Sequence, residues 1–135
     1  MLAPHCRDGF AAELAFLAQA RSDYPELGLV KAPQELDLHA GTDFLSGWLG
    51  VGLTLRDDLS KIVSDFQKAA RGGLSHYVVV LLSEDSPLAR DSALEALAEV
   101  KNLSRGFFLI EASADGALIT NKAHLAIPGG RVRVG

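Results

Sequence analysis

The apolar positions of this chain fall into runs with helical spacing and runs that are continuous. Over 8–22, Phe10, Leu14 and Leu17 recur at i, i+4 and i+7. That spacing predicts a helix with these residues on one face, Asp8 as its cap and Pro25 at its exit. A second helix is predicted over 55–71, where Leu55, Leu59, Ile62, Val63, Phe66 and Ala70 make one apolar stripe and Gly72-Gly73 stops it. Its other face carries Arg56, Asp57, Lys61, Asp65 and Lys68 in mixed sign, with Asp57 and Lys61 at the favourable i, i+4 spacing. Ser86 as cap and Pro87 at the first helical position open a third helix, over 87–101, with Leu94, Leu97 and Ala98 facing inward.

The continuous runs read as strands. YVVVLL (77–82) is rich in β-branched residues and does not alternate, the pattern of a central strand covered on both sides. FFLIEA (107–112) is a second buried strand, and SADG turns it into ALITN (117–121), a hairpin. WLGVGLT (48–54) alternates strictly, with Leu49, Val51 and Leu53 on one side and Gly50 and Gly52 on the other. Something packs close against the glycine side, in the simplest case a helix. Two shorter extended pieces, LGLVK and ELDLH, flank Pro33 and lead to a turn at Gly41. The end of the chain, HLAIPGGRVRVG (124–135), offers one or two further edge strands. A strand–helix–strand–helix–strand run from 48 to 112 implies parallel pairing through right-handed crossovers. The expected architecture is a single α/β domain over 1–135. It has a mixed, mostly parallel central sheet flanked by three helices, with a C-terminal β-hairpin.

Charge and composition narrow the function classes. The 135 residues are 48% hydrophobic and 22% charged, an ordinary globular balance. Thirteen Lys and Arg against 17 Asp and Glu leave a net charge of −4, which disfavours nucleic acid as a generic partner. The basic concentration, Arg131 and Arg133, is too small to act as a patch. A single cysteine, Cys6, excludes an internal disulfide and zinc sites built on paired cysteines. MLAPHCRDGF lacks the apolar core of a secretion signal. The longest uncharged apolar run, FLSGWLGVGLTL (44–55), is shorter than the roughly 20 residues of a membrane span. The chain is expected to be soluble and cytoplasmic, without a membrane partner.

Four places hold candidate chemistry. In ELDLHAGTDF, Asp37 and His39 stand two apart on an extended segment and so share a face, and Asp43 from the following turn could close over the same point. One His with two carboxylates suits a divalent cation and a hydrolytic metal site. The same pattern also describes a strand with Leu36 and Leu38 buried and its polar face in water. After YVVVLL come Ser83, Glu84, Asp85 and Ser86, at a strand's carboxyl end, where open α/β sheets commonly bind ligands. Adjacent acids oppose a phosphate there and favour a cation or a hydroxyl-rich ligand, Glu84 and Asp85 being candidate metal ligands. Helix capping explains the same four residues. Trp48, beside two glycines, could floor a pocket or serve a core or interface. His76, His124 and the His5-Cys6 pair are read as surface, edge or chain-start residues.

Glu111 closes the strand FFLIEAS. A hydrophobic strand ending in E-x-K, with an Asp upstream, marks the restriction-endonuclease-like nucleases, and the element order here is loosely similar to theirs. Ser113 stands where the lysine belongs, and a helix precedes the strand where those enzymes bring their Asp on a paired strand. The literal E-x-K, Glu99-Val100-Lys101, ends a helix. What the resemblance implies is a degenerate relative, with Glu111 as the acid. No phosphate-binding loop, dinucleotide fingerprint or serine elbow occurs.

No catalytic set therefore assembles from sequence alone. The expected function is a non-catalytic interaction or regulatory domain, with a protein partner or self-association through an edge strand at 131–134. The alternatives are a divalent-metal-dependent hydrolase or phosphodiesterase using Asp37, His39 and Asp43, with Glu84, Asp85 or Glu111, and a small-ligand sensor with a pocket near Trp48, Ser83 and Ser86.

Overall fold

A computed structural model of the chain describes residues 4–35, 41–55 and 57–126. In chain order the elements are α1 (Pro4–Asp23), β1 (Val30–Lys31), β2 (Phe44–Ser46), β3 (Leu49–Thr54), α2 (Leu59–Arg71), β4 (Tyr77–Leu82), α3 (Pro87–Lys101), β5 (Phe107–Ser113) and β6 (Gly116–Asn121). Short 3₁₀ turns lie at Pro25–Leu27 and Ala123–Ala126.

The six strands form one sheet in sequential order. Pairing is parallel in the centre, β3 with β4 and β4 with β5, and antiparallel toward both edges. The mixed α/β sheet and its C-terminal hairpin match the sequence expectation. A second hairpin, β2–β3, lies inside the run FLSGWLGVGLTL. Its two-residue loop opens with Gly47 at φ 61°, the left-handed conformation that such loops ask of their first residue.

Each residue of β4 is buried, and its alternate sides enter different cores. Val78, Val80 and Leu82 pack with Phe16, Phe44, Leu94, Leu97 and Ile110, under α1 and α3. Tyr77, Val79 and Leu81 pack with Ile62, Phe66, Ala69 and Leu109, under α2. The helices α2 and α3 thus lie on opposite faces. Both crossovers step the same way across the sheet, and two such crossovers share a hand only when their helices share a face. These two are of opposite hand, so the right-handed rule holds for one of them.

Several local expectations change. The first helix begins at Pro4, which puts Asp8 inside it and His5 and Cys6 in its opening turns. It buries Ala12, Phe16 and Ala20, whereas Phe10 is 57% exposed and Leu14 54%. The second helix starts at Leu59, not Leu55, with Asp58 as cap accepting from Lys61 N, and Leu59 points outward. Lys61 pairs with Asp65 at 3.0 Å in place of Asp57. Ser86 caps α3 as expected, accepting from Ala89 N. Among the described residues, what lies closest to Gly50 and Gly52 is Leu74, Tyr77 and the Gly41–Thr42 loop, not a helix. A Cβ at Gly52 would lie 2.5 Å from Tyr77 Oη, and one at Gly50 would lie 2.9 Å from a Leu74 methyl. Residues 36–40 of ELDLH lie outside the described residues, and Glu35 is helical, not extended.

Candidate functional site

The parallel strands β3, β4 and β5 end side by side, and a cleft of about 390 Å³ opens at their carboxyl ends. Leu55 and Asp57 reach it from beyond β3, Leu81, Leu82 and Ser83 from β4, and Glu111, Ala112 and Ser113 from β5. Two carboxylates and two hydroxyls thus stand around an apolar floor. Such a lining repels phosphate and favours a cation or a hydroxyl-bearing molecule. The Ser83–Ser86 stretch divides here. Ser83 lines the cleft, Asp85 is ion-paired with Arg90, and the Ser86 hydroxyl is used on Ala89 N. Glu84 is exposed and forms no part of the lining.

Asp43 sits elsewhere. Its own N–H donates to the Val51 carbonyl at 2.8 Å, and its Oδ2 accepts from Leu53 N at 2.7 Å, so its carboxylate closes the start of β2 onto β3. Asp37 and His39 lie outside the described residues. Among the described residues no group of three or more His, Cys, Asp or Glu is placed to hold a metal ion. Glu111 stands three strand positions from Asp43, roughly 14 Å across the sheet, so the two carboxylates cannot share one ion. Of the two strands paired with β2, β3 reads LGVGLT, with neither the acid nor the lysine of the nuclease pattern, and β1 carries Lys31, which is ion-paired with Glu13.

Beside Asp43, the Tyr77 hydroxyl donates to the Gly41 carbonyl at 2.8 Å. Burial, then the nearby Asp65 and Asp43 carboxylates, push the Tyr77 phenol well above its ordinary value of 10.0. Tyr77 is a strap under the 41–43 loop, and Gly52 leaves the room it needs.

Trp48 is 86% exposed at the tip of the β2–β3 hairpin. It precedes β3 while Ser83 follows β4, so the length of a strand, about 20 Å, separates it from the cleft. It neither floors that cleft nor enters a core. His76 is buried, with Nε2 donating to the Val100 carbonyl at 3.1 Å, and His124 is exposed.

Among the described residues, a sheet edge lies elsewhere than the sequence suggests. The expected edge at 131–134 lies outside the described residues, and among those described β6 is an edge. Lys122 N donates to the Phe107 carbonyl at 2.7 Å, continuing the ladder of β6 on β5. Backbone groups alternate along an antiparallel strand, so residues 116, 118 and 120 face β5, and Ala117, Ile119 and Asn121 turn theirs outward. The strand GALITN has no charge and no proline, and Leu118 on it is 61% exposed. The opposite edge, β1, is two residues long and carries Lys31, ion-paired with Glu13 at 2.9 Å. Shortness and lysine are common guards against stray pairing, and β6 has neither. The signal was present in the sequence as an uncharged hairpin arm.

No helix among the described residues is long and apolar enough to cross a membrane. Comparison with protein-family models, with curated proteins and with solved structures returns no match.

Proposed function

We propose that this domain works through protein–protein contacts, as an interaction or regulatory module whose docking strand is β6. The observation that carries the reading is the contrast between the two sheet edges, one short and lysine-bearing, the other six residues long and uncharged. An added strand would gain main-chain hydrogen bonds at Ala117, Ile119 and Asn121, and Leu118 would give it a side chain to select. The test is a displayed library of eight-residue peptides selected on the immobilised domain, with Ala117→Pro as counter-target. Strand-forming binders that lose affinity for Ala117→Pro are expected. A library yielding no binder sensitive to that change would remove the reading.

A second reading rests on the cleft. Asp57 and Glu111 over an apolar floor suit a small ligand bearing a cation or hydroxyls, or a divalent ion held with further groups. Thermal melts with EDTA, with Mg²⁺, Mn²⁺ or Zn²⁺ at millimolar concentration, and with spermidine or glycerol would test it. A ligand present at 100 times its Kd adds about 2.7 kcal/mol. A shift abolished by Asp57→Asn and Glu111→Gln would support a ligand site, and flat melts throughout would end it.

A further inference from the structure

We infer that the strand docking on β6 is β6 of a second copy of this chain, related by a two-fold axis through Ile119. The inference rests on the reading of β6 as a docking strand and names its partner. The outward backbone groups at Ala117, Ile119 and Asn121 are symmetric about Ile119. Antiparallel pairing about that residue sets Ile119 against Ile119 of the second copy and Ala117 against Asn121 of the second copy. Each outward N–H and C=O then meets a partner. Leu118 falls opposite Thr120 of the second copy, on the face that carries α2.

Charge selects this arrangement over its rivals. The strand itself is neutral, Asp115 precedes it and Lys122 follows it. In the two-fold register Gly116 lies opposite Lys122 of the second copy, so Asp115 in the hairpin turn stands one position along from that lysine at the same end of the seam, and the same approach of opposite charges recurs at the other end. A parallel pairing would gather both Asp115 residues at one end of the seam and both Lys122 residues at the other. Opposite charges across strands stabilise and like charges oppose, so the flanking residues specify a self-complementary antiparallel seam. The product is one continuous sheet with both β6 strands in its interior.

The test is analytical ultracentrifugation of the full chain from micromolar to millimolar concentration, with amide exchange at residues 117, 119 and 121. A dimer is expected, with those amides protected as it forms. Ala117→Pro removes an outward N–H and leaves the β5 ladder whole, and Leu118→Lys puts like charge into the seam. Both should be monomeric, with far-UV circular dichroism unchanged. Asp115→Lys alone and Lys122→Glu alone should each weaken the dimer about tenfold, and the two together should restore it. The restored pair keeps the inference testable if Ala117→Pro fails to fold. A dimer indifferent to all these changes overturns the inference, as does a monomer at millimolar concentration. If that monomer has protected amides, the chain's own residues 127–135 become the occupant. A monomer that still binds selected peptides in an Ala117-dependent way overturns self-pairing alone, and one that binds none removes the docking strand as well.

Discussion

Tyr77 and Gly52 are a matched pair. The phenol donates to the Gly41 carbonyl across a space that only a residue without Cβ leaves open. Tyr77→Phe should cost about 1 kcal/mol, one hydrogen bond, in urea denaturation. Gly52→Ala should cost about 1–3 kcal/mol by overpacking against the hydroxyl. The double variant should cost less than the sum, because loss of the oxygen gives the new methyl room. Alkaline titration reads the same site. The chain has two tyrosines; Tyr24 is pushed up to about 12 by burial and by its hydrogen bond to Asp91, and Tyr77 is also raised. The native state therefore holds its phenolic protons where an unfolded chain gives them up. Stability is full below pH 10 and falls as pH rises above it. Absorbance at 295 nm should show almost no tyrosinate at pH 10 in the folded chain, where free tyrosine is half ionised. Tyr77→Phe should flatten the alkaline loss of stability. At this scale Asp43 has a structural use that the sequence does not show. An acid near two candidate ligands reads as a metal site, but its carboxylate closes a strand junction that exists only once β2 and β3 are in register.

Among the elements, α2 was legible from its apolar stripe, α3 from its cap, β4 from its β-branched run and the β5–β6 hairpin from its turn residues. The face of α1 was not. Among its residues of described burial, the fully buried ones are two alanines around one phenylalanine, with the expected Leu17 packed partly against the core, and alanine signals little beside the larger Phe10 and Leu14 on the outer side. Phe16→Ala should cost about 3–5 kcal/mol by emptying the core between α1 and Phe44, whose ring lies 5.6 Å from that of Phe16. Leu14→Ser should change stability by less than about 0.5 kcal/mol. Equal costs in equilibrium unfolding would show the helix rolled onto its other face. The β2–β3 hairpin escaped detection because β2 has three residues and its turn lies within one uncharged apolar run. At the cleft, Ser83 and Glu111 were visible as strand-end polar residues. Asp57 reads from the sequence as part of a solvated helix face, because the start of α2 at Leu59 is not legible there.

Across the whole molecule, the sheet divides two cores, and β4 belongs to both. That explains why the hand of the crossovers could not be read. With β4 apolar on each side and each helix carrying one apolar stripe, hydrophobicity alone does not say which face a helix takes. Flanked by β3 and β5 and covered from above and below, β4 should exchange its amides only through global opening. Hydrogen exchange should rank Val78, Val79 and Val80 slowest, with the 30–31 edge fast, and comparable rates would show the two cores opening separately. The hairpin tip has a consequence for how the molecule is observed. The chain's one tryptophan already stands in water when the protein is folded. Its emission should therefore be red and readily quenched by iodide before any denaturant is added. A fluorimeter following it would see a protein that looks unfolded throughout, while circular dichroism recorded a cooperative transition.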